Sequence, residues 1–329
     1  MIRIAAFCAV SAALSFALTR IVRTIALRRA MIDIPNERSS HTVPTPRGGG
    51  LGFVTAFLVL GSLDAVTGQW FAPPQAMRVF AVIIPLVLLG LADDAWNLPA
   101  RSRLPVHLLL GGLTCALFGP VPLPFAPDMG TPGLIVQWAV TIVGTAALIN
   151  FYNFMDGLDG LVAGTALVQM FFLAIQLDQP LWLLLAAGIA GFLPWNWPRA
   201  SIFMGDAAST TLGACAAIAI VGCPTRGLAA EALAVTLPLT VDATYTILRR
   251  LSRRENIFHA HRSHIYQRLH NTAGWSHARV TTLYIALTIL CALAITAFAD
   301  YGPATCIALC LALLPLAELH IRRFASKTS

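Results

Sequence analysis

Long apolar runs alternate with short polar segments along almost the whole chain of 329 residues. A run of about 17 to 25 apolar residues is long enough for an α-helix to cross a bilayer. The pattern predicts an all-α, polytopic integral membrane protein, a single transmembrane domain over residues 1–329 with about eleven spanning helices. The predicted spans are 3–22, 48–67, 76–92, 104–119, 133–152, 158–177, 180–197, 207–224, 229–248, 280–299 and 302–321.

Composition agrees with this pattern, since 57% of the residues are hydrophobic and only 11% are charged. A soluble domain usually carries about 25% charged residues, so a soluble fold is excluded. The seven cysteines all fall in apolar runs without the spacing of metal ligands, where cysteine behaves as a small hydrophobic residue. No disulfide framework is expected.

The distribution of arginine and lysine predicts the orientation, because cytoplasmic loops carry an excess of both. If the N-terminus is outside, only Arg3, Arg78 and Arg226 of the 22 basic residues lie outside, and the other nineteen lie inside. We therefore predict a multi-pass membrane protein with its N-terminus outside and its C-terminus in the cytoplasm.

Five acidic residues stand at the ends of apolar runs. Asp93 and Asp94 close one run, Asp156 and Asp159 close another, and Asp206 opens a third. The predicted topology puts all five on the cytoplasmic face. Carboxylates gathered at a membrane surface are typical of a site for a cation and phosphates.

The sharpest motif has two amides and two acids at every third position from Asn150 to Asp159. On one unbroken helix these nine steps turn about 900°, so the first and last side chains would face opposite ways. Gly157 and Gly160 permit a break that brings the polar groups together. Such residues are costly in lipid, which favours a functional role over packing. The four are Asn150, Asn153, Asp156 and Asp159.

Four other acidic residues allow a simpler interpretation. Asp93 and Asp94 point about 100° apart on a helix, so one can hold a metal while the other faces an acceptor, or both are solvated boundary acids. Asp206 either serves as a helix N-cap or belongs to a phosphate site at a helix start. Asp242 lies inside an apolar span, where a structural pairing and a direct role are both open.

Two polar loops complete the candidates. His259, His261 and His264 suggest zinc, but no cysteine joins them, so phosphate binding with Arg262 is favoured over zinc and over a solvated loop. The segment 33–41 leads into Gly48, Gly49 and Gly50. This glycine run either cradles a phosphate or lets the second span pack closely.

Together these blocks resemble the polyprenyl-phosphate sugar-1-phosphate transferase superfamily. The resemblance rests on the Asp93-Asp94 pair, on residues 150–161 and on 203–206 (Phe-Met-Gly-Asp), and it extends from residue 33 to residue 264. Residues 35–41 look like the branch that uses UDP-N-acetylhexosamines. The chain departs from the usual pattern after His264, where Ile-Tyr-Gln follows in place of further histidines, and at Ala208, where glycine is usual. Both departures resemble O-antigen initiators that use 6-deoxy-N-acetyl sugars.

The resemblance implies an Mg²⁺-dependent phosphotransferase, with Mn²⁺ as the alternative ion, whose catalytic domain is the whole chain. It would transfer an N-acetylhexosamine 1-phosphate from a UDP-sugar to polyprenyl (undecaprenyl) phosphate, releasing UMP and starting a cell-surface polysaccharide such as O-antigen. A phospho-MurNAc-pentapeptide transferase is a competing reaction, against which the lack of any lysine except Lys327 argues. Two competing classes of protein are a membrane transporter that uses intramembrane acids and a scaffold that binds lipid.

The resemblance also implies roles for individual residues. Asp206 is expected as the principal metal ligand, assisted by Asn153 and Asp94. Membrane lipids are expected partners and nucleic acid is not, while monomer and homodimer both stay open. The remaining roles are catalysis by Asp93 and Asp94, orientation of nucleotide and sugar by Asn150, Asp156 and Asp159, phosphate contacts by His261, Arg262 and His264, and substrate binding by Asp33 and His41.

Overall fold

A computed structural model of the chain describes residues 2–35, 40, 42–67, 73–96, 98–123, 129–257 and 261–328. Within these residues the fold is thirteen α-helices and one two-stranded antiparallel sheet. The helices are α1 (Ile2–Arg28), α2 (Leu51–Thr67), α3 (Pro73–Trp96), α4 (Ala100–Phe118), α5 (Thr131–Met155), α6 (Leu161–Gln176), α7 (Pro180–Asn196), α8 (Asp206–Val221), α9 (Arg226–Ala234), α10 (Leu237–Ser252), α11 (Ile265–Asn271), α12 (His277–Phe298) and α13 (Gly302–Thr328). The strands are β1 (Ile32–Asp33) and β2 (Thr45–Pro46).

The helices follow the apolar runs of the sequence. Five of them, α1, α3, α5, α12 and α13, are long and apolar enough to cross a membrane by length and composition. Four shorter apolar helices, α2, α6, α7 and α8, accompany them. The protein is therefore a helical membrane protein, and the count of eleven spans stays a prediction.

The predicted ninth span, residues 229–248, is wrong as a single helix. The chain forms α9 and α10 instead, with a break at Val235 and Thr236. Pro238 explains the break, because proline lacks a backbone N–H and its ring clashes with the carbonyl four residues earlier in a helix. The side-chain amide of Gln169 donates to the carbonyl of Val235 at 3.4 Å, which satisfies a backbone group at the break.

Helix α8 forms the centre of the bundle, since every residue from 207 to 221 is buried. Glycines on its neighbours allow close approach: a Cβ on Gly90 of α3 would lie 2.3 Å from the Cα of Ala207. Gly213 of α8 meets α5 in the same way, since its Cβ would lie 2.5 Å from the carbonyl oxygen of Leu148. These contacts fix the start of α8 against the helices that carry the acidic motifs.

The small sheet joins two loops at the same end of the bundle. Ile32 pairs with Pro46 and Asp33 with Thr45. The N–H of Phe203 donates to the carbonyl of Pro46 at 2.8 Å, just before α8 begins. A Cβ on Gly50 would lie 2.2 Å from the Cβ of Ala208. The glycine run therefore allows close packing of the second span, which was one of its two predicted roles.

Candidate active site

A polar cavity of about 280 Å³ lies at the end of the bundle where α3 and α5 finish and α8 starts. Four of the five motif acids line it, although three separate parts of the chain supply them. Asp33 of β1 also lines the cavity, whereas His41 lies outside the described residues. The lining is Asp33, Ser40, Arg47, Asp94, Asp156, Gly157, Leu158, Asp159, Asn196, Phe203, Met204, Gly205, Asp206, Gln267 and His277.

The adjacent acids at the end of α3 face different surroundings. Asp94 lines the cavity, and its carboxylate accepts the backbone N–H of Asp206 at 3.3 Å and that of Ala207 at 3.4 Å. Asp93 is buried beside the turn that follows α3, where its carboxylate accepts the N–H of Leu98 at 2.8 Å. Only Asp94 of the pair therefore lines the cavity.

Asp206 is the first residue of α8 and not its N-cap, so that interpretation of the sequence is wrong. Gly205 occupies the cap position with a φ of 86°, a conformation that glycine adopts without strain. The Asp206 side chain is 37% exposed and extends toward Arg103 and Asn153. Asn153 in turn donates to the hydroxyl of Ser209 at 3.1 Å.

Arg103 of α4 bridges two of the acids. Its Nη1 contacts the carboxylate of Asp93 and lies 3.1 Å from Oδ2 of Asp206. A guanidinium thus lies between two carboxylates that a divalent cation could also approach. The sequence motifs assigned no role to Arg103.

The oxygens near Asp206 are of the chemical kind that Mg²⁺ prefers. Among the described residues, no three His, Cys, Asp or Glu side chains form a complete metal cluster, and this covers His261 and His264 but not His259. Mg²⁺ needs fewer protein ligands than such a cluster supplies, because it keeps several waters and takes one or two carboxylates together with substrate phosphates. The oxygens of Asp206, Asp94 and Asn153 therefore fit such an ion.

The cavity is rich in carboxyl groups that lie close to one another. Asp156, which caps the C-terminal end of α5, has a pKa raised well above its usual range by burial, and the charges of Asp206, Asp94 and Asp159 raise it further. A carboxyl under such repulsion is stabilised in its ionised form by any added cation. The cavity therefore favours cationic ligands or anions accompanied by a metal.

A second, larger cavity of about 590 Å³ lies between α4, α5 and α10, and we call it the apolar groove. Val143 in its wall is 59% exposed, so the groove opens onto the outer surface of the bundle. Gln267 lines both cavities, so the two adjoin each other at this side chain. The groove is lined by Ala100, Arg103, Leu104, Leu108, Val143, Ala146, Ala147, Asn150, Phe151, Asn153, Phe154, Ile247, Ile257, His261, His264 and Gln267.

Asn150 lines this groove and not the polar cavity, contrary to the expectation that it acts beside Asp156 and Asp159. Its Nδ2 lies 3.0 Å from Nδ1 of His107 and donates to the carbonyl of Ala146 at 2.7 Å. The reason is that α5 continues unbroken to Met155, so the chain reverses only after both amides of the motif.

Two histidines of the last loop, His261 and His264, also line the groove. His264 is buried at the N-cap of α11, with its Nδ1 3.5 Å from the carboxylate of Asp242. That carboxylate accepts the backbone N–H groups of Ile265 at 2.9 Å and Tyr266 at 3.1 Å. Of the two interpretations of Asp242, the structure therefore favours a structural pairing, with His264 and the start of α11 as its partners.

His261 is a neutral imidazole near pH 7. Burial first, and then the nearby charges of His264, Arg250 and Arg249, lower its pKa to about 4. Its Nδ1 accepts the N–H of Ser263 at 3.3 Å, so Nε2 carries the proton and is the available donor. Arg262 is half-buried between these two residues.

Two further cavity residues were not predicted from the sequence. His277, the first residue of α12, places Nδ1 3.1 Å from the carboxylate of Asp159 and Nε2 3.0 Å from the carbonyl of Ser40. Arg47 contacts the backbone carbonyl of Asp94. The position of Arg47 before a glycine run was a usable signal, whereas His277 stands alone in the sequence without one.

The sequence of the chain is similar to those of known transferases. The family model described as glycosyl transferase family 4 matches residues 76–223. The decaprenyl-phosphate N-acetylglucosaminephosphotransferase of Mycobacterium tuberculosis is 28% identical over 83% of this chain and 77% of its own length. The undecaprenyl-phosphate α-N-acetylglucosaminyl 1-phosphate transferase of Thermotoga maritima is 29% identical over 78% and 80%. The phospho-N-acetylmuramoyl-pentapeptide-transferase of a Synechococcus species is 28% identical over 75% and 76%.

Fold and site together define a helical membrane protein with an acidic cavity that meets an apolar groove. The family model over residues 76–223 and the relatives named above match the superfamily of polyprenyl-phosphate N-acetylhexosamine-1-phosphate transferases, the one that the motifs resemble. The relatives include both N-acetylglucosamine and muramoyl-pentapeptide transferases, so they do not single out the O-antigen branch.

Proposed function

We propose that this protein transfers an N-acetylhexosamine 1-phosphate from a UDP-sugar to polyprenyl phosphate and releases UMP. One observation carries the proposal: an acidic cavity and an apolar groove adjoin each other, with Gln267 in the wall of both. The reaction needs such a junction, because its donor is a polar nucleotide and its acceptor is a phosphate on an apolar chain. A transporter would more often place its acids near the bilayer midplane.

The acceptor lipid is assigned to the apolar groove. The groove opens beside Val143 toward the surrounding lipid, and Arg103 and Asn150 line it together with apolar side chains. Arg103 is the cation that both borders the groove and contacts Asp206. Its guanidinium suits a phosphate because it offers several N–H donors in a planar fork.

The donor UDP-sugar is assigned to the polar cavity. Asp156, Asp159 and Asp33 offer acceptors for ribose, base and sugar groups, while Arg47 and His277 supply donors. Mg²⁺ held by Asp206, Asp94 and Asn153 would neutralise diphosphate charge when bound. The histidines His261 and His264 are assigned to phosphate contacts from the groove side, with Arg262 beside them.

In this reaction an oxygen of the acceptor phosphate forms a bond to the sugar-linked phosphorus, and the bond from that phosphorus to UMP breaks. The second pKa of a phosphate monoester is about 6, so the nucleophile is largely ionised near neutral pH. A general base is therefore a minor requirement. Positioning and charge neutralisation supply most of the acceleration, as in other phosphoryl transfers.

The relatives favour an N-acetylhexosamine phosphate as the transferred group, since two of them carry N-acetylglucosamine phosphate transfer in their names. The UDP-linked form of that sugar is the donor that we propose. We further propose that the product starts a cell-surface polysaccharide such as O-antigen at the cytoplasmic face of the bacterial inner membrane. The whole chain, residues 1–329, would form one catalytic domain. The muramoyl-pentapeptide reaction is the competing candidate, because one relative carries that name.

The test uses membranes containing the full chain, undecaprenyl phosphate, Mg²⁺ and a panel of radiolabelled UDP-sugars. Transfer of label to lipid with an equal amount of UMP supports the proposal, and the preferred member of UDP-GlcNAc, UDP-GalNAc, UDP-FucNAc and UDP-QuiNAc names the donor. Label accumulating inside vesicles without entering lipid would refute it in favour of a carrier. Accessibility labelling of Asp94→Cys and Asp206→Cys from opposite sides of the membrane tests the cytoplasmic placement.

A further inference from the structure

The short helix α11 supports the walls of both cavities. Its Gln267 lines both of them, and Tyr266 beside it is fully buried. The Tyr266 hydroxyl donates to the backbone carbonyl of Phe154 at 2.8 Å. A Cβ on Gly157 would lie only 2.2 Å from that hydroxyl oxygen. The position of α11 therefore sets the position of the loop that carries Asp156.

Helix α11 depends on other helices for its own position. It has seven residues, and isolated helices shorter than about 12 residues are marginal in water. Asp242 of α10 holds its first turn through the N–H groups of Ile265 and Tyr266. Glu318 of α13 holds its other end, since Nη1 and Nη2 of Arg268 both contact the Glu318 carboxylate, Nη2 at 2.9 Å.

Glu318 also reaches the segment that precedes α11. Its carboxylate lies 3.1 Å from Nη1 of Arg249 and accepts the hydroxyl of Tyr245 at 2.9 Å. Arg249 uses Nη2 to donate to the carbonyl of Ser263 at 2.5 Å. One carboxylate thus fixes two arginines that hold the chain on both sides of His264.

This network is well shielded from solvent. The side chain of Glu318 is 12% exposed, that of Arg249 13% and that of Arg268 18%. Removing one partner of a shielded charge network leaves uncompensated charge, so the remaining groups rearrange. Here Arg249, Arg268 and the exposed Arg322 would lose their common anion, and α11 would lose its fixed distance from α13.

We propose that Glu318 is a positioning residue for the transfer reaction. It fixes Arg268 and Arg249, and these two arginines fix α11. The Tyr266 hydroxyl of α11 in turn contacts Phe154 and Gly157 and so fixes their position. The expected effect on kcat rests on the proposed function. The contacts from Glu318 to Gly157 do not depend on that function. Glu318 lies outside residues 76–223, the part of the chain that the family model matches.

The kinetic test compares Glu318→Gln, which keeps the size of the side chain and removes its charge, with Glu318→Asp. A misplacement of about 1 Å can cost on the order of a hundredfold in rate, so we expect kcat to fall about tenfold to a hundredfold with KM for the UDP-sugar within about threefold. Glu318→Asp should recover part of kcat. An unchanged kcat in Glu318→Gln would overturn the proposal.

Glu231→Gln is the matched control. Glu231 is also a half-buried helical acid, and it accepts a hydrogen bond from Gln176 at 2.6 Å. It lies on α9, whereas Glu318 contacts the arginines that hold α11. We expect wild-type kinetics from this variant. An equal loss in both variants would indicate a general effect of removing buried acids and would overturn the specific role.

Hydrogen exchange of the purified full chain tests the contacts without reference to activity. Glu318→Gln should exchange faster in α11 and also in residues 153–160. Tyr266→Phe should loosen 153–160 alone, and adding Glu318→Gln should then change that segment no further. Unchanged exchange of 153–160 in Glu318→Gln, or uniform loosening of the chain, would overturn the linkage. A wild-type chain without transfer activity would instead defeat the proposed function.

Discussion

Asp206→Asn is the most direct test of the proposed metal position. The substitution keeps the shape of the side chain and removes one negative charge. Folding should change little, because Gly205 and not Asp206 occupies the cap of α8. The lost contact to Arg103 at 3.1 Å involves a carboxylate that is 37% exposed, and such pairs contribute at most about 1 kcal/mol.

The effect on turnover should be much larger. Two unit charges about 4 Å apart interact by about 4 kcal/mol at an effective dielectric constant of about 20, and the barrier changes tenfold per 1.36 kcal/mol. Losing that attraction to a bound cation therefore predicts a decrease in turnover of about 10³-fold. One unit of charge is used for the metal because the water molecules that Mg²⁺ retains screen part of its divalent charge.

The assay measures UMP release and lipid labelling over a titration of Mg²⁺. Asp178→Asn is the matched control, because Asp178 is an exposed acid at the far end of α6 from the cavity. We expect the control to behave as wild type. Turnover by Asp206→Asn above about one tenth of wild type at saturating Mg²⁺ would refute the assignment of the metal to Asp206, since one tenth corresponds to only about 1.4 kcal/mol.

Three further predictions address the groove, the histidine loop and the packing of α8. Arg103→Gln should raise KM for polyprenyl phosphate about 10- to 100-fold, since hydrogen bonds to charged groups contribute about 1.5–3 kcal/mol, and an effect only on KM for the UDP-sugar would contradict it. His261→Gln should keep transfer within about tenfold of wild type because Nε2–H acts as a neutral donor, and it should flatten the loss of thermal stability that wild type shows as pH falls from 6.5 toward 4. The sign follows because the pKa of His261 is lower in the folded state than in the unfolded state. Protonation between these two values therefore favours unfolding. Gly213→Ala should destabilise by about 1–3 kcal/mol in thermal unfolding, whereas Gly112→Ala, whose Cβ meets nothing within 4 Å, should not.

The apolar pattern predicts the helices well because lipid requires each crossing segment to satisfy its own backbone. The predicted span 180–197 corresponds to Pro180–Asn196, and 207–224 to Asp206–Val221. The break at Val235 was missed because hydropathy averages over a window, although Pro238 was a visible signal. Helix α11 was missed because seven residues in a polar loop are too few for a period to appear.

The candidate site was predictable where residues cluster in sequence and less so where they meet only in space. Spacing and topology were enough to gather Asp94, Asp156 and Asp206. The same spacing misplaced Asn150, because the point at which α5 ends decides whether an amide faces the polar cavity or the apolar groove. The pairing of Asp159 with His277 joins residues 118 positions apart in the chain (277 minus 159), and no local pattern reports such a contact.

The two acids at the end of α3 allow a decisive comparison between positioning and base catalysis. Asp94 lines the cavity and holds the first N–H groups of α8, so Asp94→Asn should lose about 10²-fold or more in turnover. Asp93 instead contacts Arg103 and the N–H of Leu98. Asp93→Asn should therefore act mainly through the position of Arg103 and should keep measurable transfer.

The pH dependence of Asp93→Asn separates the two mechanisms. If the acceptor phosphate ionises by itself, residual transfer should rise between about pH 6 and pH 8 as its second pKa, about 6, is passed. If Asp93 were an essential base, the variant would stay inactive at every pH, because no other group would take the proton. A profile of kcat for Asp93→Asn that stays at background up to pH 8, with thermal unfolding unchanged, would refute the positioning role.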